Sequence, residues 1–147
     1  MSILIRPYTA TDKPQLIELF LLNTPSYFCP EEQADLEAFL DEEEAEAYYV
    51  LEEDGKILAC GGYAVENNVG YLCWYIVHPT HHGKGLGGAI VTKSMNALKA
   101  IPGVSKIIVR TSQLVYPFYE NFGFRLISTQ DHYWGNDMHM YYMETDV

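Results

Sequence analysis

The residues best suited to chemistry in this chain sit in one short run, His82-Gly83-Lys84-Gly85-Leu86-Gly87-Gly88, with His78 and His81 just ahead of it. An apolar and aromatic stretch, Gly70–His78, precedes the run, and Pro79 ends that stretch. An amphipathic segment from Leu86 to about Ala100 follows, so the glycines join a strand to a helix. Glycine at such a joint turns the backbone tightly and leaves N–H groups unscreened by Cβ atoms. The first four N–H groups of a helix have no intrahelical partner and lie at the positive end of its dipole, which suits a pyrophosphate. Lys84 adds a positive charge.

Other phosphate binders fit less well. Gly83, Gly85 and Gly88 satisfy the dinucleotide pattern GxGxxG, but that pattern needs an acid about 20 residues later for the ribose. No Asp or Glu occurs from Asn67 to Tyr119, and no GxxxxGK[ST] string occurs anywhere. His78, His81 and His82 invite a metal. A site of that kind wants a fourth donor on an opposing element, and the acid-free surroundings supply no carboxylate, so no metal is expected.

A second run carries a phenol in a defined setting: Phe118-Tyr119-Glu120-Asn121-Phe122-Gly123-Phe124. The two runs together, in this order and on these elements, resemble the GNAT superfamily of N-acetyltransferases over essentially the whole chain. Gly85 and Gly87 fill the glycine positions of the family's [Gln/Arg]-x-x-Gly-x-[Gly/Ala] signature, with His82 where Gln or Arg is usual. The resemblance implies acetyl-CoA as co-substrate, held by His82, Gly83, Lys84, Gly85, Leu86, Gly87 and Gly88. It implies direct transfer to an amine in a ternary complex, with a backbone N–H around Tyr75 or Ile76 polarising the acetyl carbonyl. The pantetheine arm would pair along the strand near Val77. Ser112 falls where many members carry an Asn that bonds the pantetheine. Tyr119 matches the tyrosine that protonates the departing thiolate.

The general base is open at this level. Tyr71 falls where histone-type members place a glutamate, and the strand Gly70–His78 holds no carboxylate. Glu66, His132 in the His132-Tyr133-Trp134-Gly135 turn, or water are the candidates. A CoA-binding sensor or accessory domain of the same fold is the alternative to an enzyme.

The formal charge of −11 speaks against nucleic acid as a partner. Its distribution is uneven, for Asn67–Tyr119 holds five bases and no acid while the remainder holds four bases and all 20 acids. This predicts an anion-binding half joined to an acidic half. Asp41-Glu42-Glu43-Glu44, with Glu31, Glu32, Asp35 and Glu37, lies where similar proteins flank the acceptor site. The acceptor is therefore expected to be a cationic small-molecule or peptide amine. No membrane span or export signal is legible. Cys29, Cys60 and Cys73 lack CxxC spacing, which reads as buried thiols in a reducing cytoplasm. A homodimer is left open.

These residues need a scaffold. Strands are expected at Ile3–Tyr8, Tyr48–Glu52, Lys56–Val65, Gly70–His78, Lys106–Thr111, Phe124–Thr129 and His139–Glu144. Helices are expected from Asp12 to Leu22, Glu31 to Ala47, Leu86 to Ala100 and Pro117 to Phe122. The order gives one α/β (mixed α+β) domain over residues 1–147, a mostly antiparallel sheet of about six to seven strands flanked by about four helices.

Overall fold

A computed structural model describes residues 3–135 and 137–147. Seven strands form one sheet in the order β1-β2-β3-β4-β5-β7-β6. In chain order they are β1 (Ile3–Pro7), β2 (Ala47–Glu53), β3 (Lys56–Glu66), β4 (Val69–Val77), β5 (Lys106–Ser112), β6 (Arg125–Gly135) and β7 (Met138–Asp146). Four helices cover it: α1 (Lys13–Leu22), α2 (Gln33–Asp41), α3 (Leu86–Lys99) and α4 (Tyr116–Glu120). Every strand pair is antiparallel except β4 with β5.

Local sequence explains the joints. Asp54 and Gly55 (φ +52° and +84°) and Asn67 and Asn68 (+52° and +65°) form two-residue hairpin loops with both residues left-handed, the geometry that follows the twist of the flanking strands. Asp12 precedes α1, with Pro14 in its first turn. Its carboxylate turns back to β1, taking Arg6 Nη1 and Nη2 at 2.8 and 2.9 Å and the Thr9 N–H at 2.9 Å. That clamp fixes the start of α1 on the sheet.

α2 is shorter than its sequence pattern. A 3₁₀ turn at Pro30–Glu32 leads into it, and it stops at Asp41 rather than Ala47. Four successive acids, Asp41–Glu44, would sit at the negative end of the helix dipole, and the chain leaves at Glu43 with φ +50°. β6 and β7 are longer than expected. Residues 132–135 continue β6 through an irregular stretch instead of forming the turn.

The core lies on both sides of the sheet. Leu16, Phe20, Leu36 and Phe39 pack with Val50 and Ile76 beneath α1 and α2. Val91, Leu98, Ile107, Val109 and Met143 pack beneath α3 and α4. Burying one such side chain contributes about 1.5–3 kcal/mol, so each helix is held chiefly by its apolar face.

Candidate active site

β4 and β5 touch over three pairs only, Val69↔Lys106, Gly70↔Ile107 and Tyr71↔Ile108. Beyond them the strands part, and a cleft of about 1320 Å³ occupies the gap. Its lining includes Tyr75, Val77 and Tyr119 from the α3 and α4 face and Trp74, Phe28 and Phe39 from the α1 and α2 face. The cleft therefore reaches both faces of the sheet.

A bulge in β4 makes this possible. The register shifts between Cys60 and Gly62 of β3, where Cys60 faces Ile76 but Gly62 faces Cys73. Trp74 takes φ +47°, and both Cys73 and Trp74 then lie on the α1 and α2 side, breaking the alternation of the strand. Tyr48 holds the bulge by donating its hydroxyl to the Trp74 carbonyl at 2.6 Å. Opposite it, a Cβ on Gly61 would run into the Tyr75 ring, so this position tolerates no side chain. Past the bulge, His78 donates its N–H to Leu58 O at 2.8 Å. By alternation the Ile76 N–H points to β3, and those of Tyr75 and Val77 point to the parted edge.

The glycine run stands at one end of the cleft. Gly85 precedes α3 with φ +81° and Gly83 has φ +79°, and a Cβ on either would meet nothing within 4 Å. That open space lies over the unpaired N–H groups of the first turn, and the first helical bond, Ala89 N–H to Gly85 O, comes only afterwards. Gly87 serves packing as well: its Cβ would sit 3.1 Å from Val77 Cγ2. The residues present thus fit a pyrophosphate. Lys84 does not join the lining, and the five bases expected to form an anion-binding half do not converge. Lys106 pairs with Glu144 at 3.3 Å and Lys93 lies over the Tyr49 ring. Among the described residues Arg110 is the one Lys or Arg on the cleft wall. Backbone dipoles, more than side-chain charge, define the cradle.

His82 donates from Nε2 to the Val77 carbonyl at 2.9 Å and packs edge-on against Tyr27. Asn23 Nδ2 donates to the same oxygen at 3.1 Å, so both lone pairs of Val77 O are engaged. His78 and His81 flank the Thr80 hydroxyl, Nδ1 to Oγ1 at 2.8 and 2.9 Å, and build the Pro79–His81 turn. Ser112 lies on the cleft wall, and its Oγ accepts the Leu114 N–H at 3.3 Å.

Tyr119 sits on α4, 4% exposed, edge-on to Tyr75 and Phe124. Burial pushes its phenol well above the ordinary tyrosine range, so it stays protonated at neutral pH. No protein group bonds its hydroxyl among the described residues, whereas Tyr75 donates to Ser94 Oγ at 2.7 Å.

The base candidates separate. Glu66 and Tyr71 line the cleft. His132 does not: it is exposed in the irregular part of β6, where its N–H bonds His139 Nδ1 and its own Nδ1 accepts from Asp137 N–H. Tyr133 and Trp134 face the cleft instead, Trp134 being pinned by its Nε1 donating to Thr111 O at 2.9 Å. Glu32, expected only as one of the acids flanking the acceptor site, is a buried carboxyl. Glu32, 7% exposed, lines the cleft, and burial pushes its carboxyl up to about 7 against the opposing pull of the Cys29 N–H. The available signal was Cys29-Pro30-Glu31-Glu32, a proline-started turn whose third residue reaches back to the N-cap N–H. The three cysteines are free, and Cys73, half-buried, also faces the cleft.

A seven-stranded, mostly antiparallel sheet parted between β4 and β5, with a glycine cradle at the opening, is the scaffold of an acetyltransferase. Residues 14–124 match the acetyltransferase (GNAT) family, and the chain belongs to that family. It is an N-acetyltransferase. An uncharacterized N-acetyltransferase of Bacillus subtilis strain 168, YjcF, is 28% identical over 123 residues, covering 83% of this chain and 86% of its own. Among solved structures, the ribosomal-protein-S18-alanine N-acetyltransferase of Escherichia coli superposes with TM-score 0.81 at 18% identity, covering 99% of this chain and 94% of its own. The PaiA N-acetyltransferase of Thermoplasma acidophilum, in complex with coenzyme A, gives 0.76 at 15% identity over 100% of both chains.

Proposed function

We propose that this chain moves the acetyl group of acetyl-CoA directly to a primary amine within a ternary complex. The parting of β4 from β5 carries this reading, because it lets a thioester on the α3 side and an amine on the α2 side meet through the sheet. The N–H groups of Gly85–Gly88 hold the pyrophosphate, His82, Gly83, Lys84 and Leu86 complete the loop, and Ser112 borders the pantetheine. With Val77 O already engaged by His82 and Asn23, strand pairing to the pantetheine falls to the N–H groups of Tyr75 and Val77 and to the Tyr75 carbonyl. The Tyr75 N–H, at the bulge, stabilises negative charge on the acetyl oxygen as the amine adds, and Ile76 supports it from the ladder. Tyr119 then gives its proton to the leaving thiolate. Its raised proton affinity does not forbid this, for the same dry setting raises that of the thiolate too.

The acceptor is cationic, drawn by Asp35, Glu42, Glu44 and Glu66 on the cleft rim. Three unpaired thiols support work in a reducing cytoplasm. No helix among the described residues is long and apolar enough to cross a membrane.

The test is thermal unfolding with ligands. A ligand bound only by the folded state adds about 2.7 kcal/mol at a hundredfold excess over Kd, so CoA and acetyl-CoA are expected to raise Tm while NADH does not. Equal stabilisation by NADH would overturn the cofactor assignment. Thiol release from acetyl-CoA with a panel of amines then identifies the acceptor.

A further inference from the structure

β4 holds no carboxylate, yet an ammonium acceptor must lose a proton before its nitrogen can attack. We propose that Glu32 is the general base of the transfer, its free carboxylate oxygen taking the proton from an amine seated against Trp74 and Phe28. This rests on the acetyl-transfer reading above and adds the group that activates the acceptor.

The geometry is specific to this glutamate. Oε2 accepts the Cys29 N–H at 2.9 Å, which fixes the carboxylate at the start of α2. Oε1 has no partner among the described residues. No fully buried side-chain oxygen or nitrogen there lacks one, so Oε1 keeps some access to solvent, and Glu32 lines the cleft. The other carboxylates on the lining, Asp35, Glu42, Glu44 and Glu66, are exposed. The cleft that Glu32 lines has an aromatic wall: Phe28 and Trp74 stack at 6.1 Å with 22° between planes, and Phe39 lies tilted at 6.4 Å from Trp74. The Trp74 bulge puts that wall on the α2 side of the sheet.

Its titratable neighbours are Glu31 and Asp35 on its own turn and helix and the Cys29 thiol, while Tyr27 and His82 from the loops and Tyr133 from β6 line the same cleft. None of the described Lys or Arg side chains pairs with Glu32. Burial and two like charges therefore set its proton affinity near neutrality, where a base serves best.

The proton count closes. The ammonium R–NH3⁺ gives one proton to the Glu32 carboxylate, and the freed lone pair forms the N–C bond at the acetyl carbonyl. As the C–S bond breaks, the thiolate leaves with the electron pair and takes the Tyr119 proton. Tyr119 recovers a proton from the acylated nitrogen, leaving the neutral amide. Glu32 releases its proton to solvent, so the net products are amide, CoA thiol and one H⁺.

The test compares wild type with Glu32→Gln, which keeps an oxygen for the Cys29 N–H. Both are assayed with acetyl-CoA and phenethylamine, tyramine or spermidine across pH 5.5–9, chosen as about two units either side of an expected catalytic pKa near 7. Wild-type kcat/KM should fall on the acid side of a pKa near 7, and Glu32→Gln should lose that limb and about 10²–10⁴-fold in kcat, with acetyl-CoA stabilisation of Tm retained. Glu32→Asp should keep the limb at reduced rate, which a purely structural role would not produce. If none of these amines turns over, the slow hydrolysis of acetyl-CoA is compared, since water then takes the amine's place and needs the same base. An active Glu32→Gln with an unchanged acid limb overturns the proposal alone. A wild type that binds acetyl-CoA and releases no thiol in either assay overturns the transfer reading and this proposal together.

Discussion

Tyr75 and Tyr119 meet edge to face, their ring centroids 6.4 Å apart, yet their hydroxyls differ in partners. Tyr75 donates to Ser94 inside the core and positions β4 on α3. Tyr119 lines the cleft with no hydroxyl partner among the described residues, as the proposed proton donor requires. Tyr119→Phe should lower kcat by about 10²–10⁴-fold while leaving Tm and acetyl-CoA binding almost unchanged, as expected for an interaction made chiefly in the transition state. Tyr75→Phe should do the reverse, costing about 1–3 kcal/mol of stability through the orphaned Ser94 hydroxyl with a modest effect on kcat. Parallel urea unfolding and steady-state kinetics on both variants check the pair. As a candidate, Tyr119 was legible because its motif gave it a fixed place in the chain. Glu32 was not, since among Glu31, Glu32, Asp35 and Glu37 only tertiary burial singles out one carboxyl. His132 was misplaced because its φ of +56° continues an irregular strand and turns the ring toward His139, a geometry that sequence pattern does not encode.

At the scale of elements, the joint between β1 and α1 depends on the Arg6–Asp12 pair. The Arg6 guanidinium holds the Asp12 carboxyl below the usual carboxylate range, aided by the Thr9 N–H and opposed by burial. A carboxyl depressed in the folded state contributes stability above its unfolded pKa and loses it as pH falls through the folded value. Asp12→Asn should therefore cost about 1.5–3 kcal/mol at neutral pH, and the gap from wild type should close below about pH 4, the unfolded carboxylate range. Urea midpoints of both proteins between those conditions measure it. The Asp54-Gly55 and Asn67-Asn68 hairpins and the order of elements along the chain could be read locally, because turn chemistry and apolar period are local properties. The end of α2 and the length of β6 could not. α2 has a helical pattern through Ala47, and its termination reflects four acids at the dipole's negative end together with the pull of β2, where Glu46 N–H bonds Tyr63 O. β6 extends because β7 is there to pair with it.

For the whole molecule, the uneven charge visible in the sequence becomes a cleft with acids at its α2 mouth and few side-chain cations at its glycine end. Attraction of a cationic acceptor should then be screened, since the Debye length shrinks from about 10 Å at 0.1 M salt to about 3 Å at 1 M. KM for spermidine should rise several-fold over that range, more steeply than KM for acetyl-CoA, whose pyrophosphate is proposed to lie close to fixed N–H dipoles. A flat response for spermidine would remove the steering role of Asp35, Glu42, Glu44 and Glu66. The three-pair seam between β4 and β5 has a mechanical consequence as well. Strands β1–β4 and β5–β7 are two plates joined at one short edge, with α3 spanning the connection, and the far ends of β4 and β5 carry load only through what lies between them. A substrate threaded through the gap would act as a crossbar, so the two plates are expected to be stiffer with CoA bound than without it.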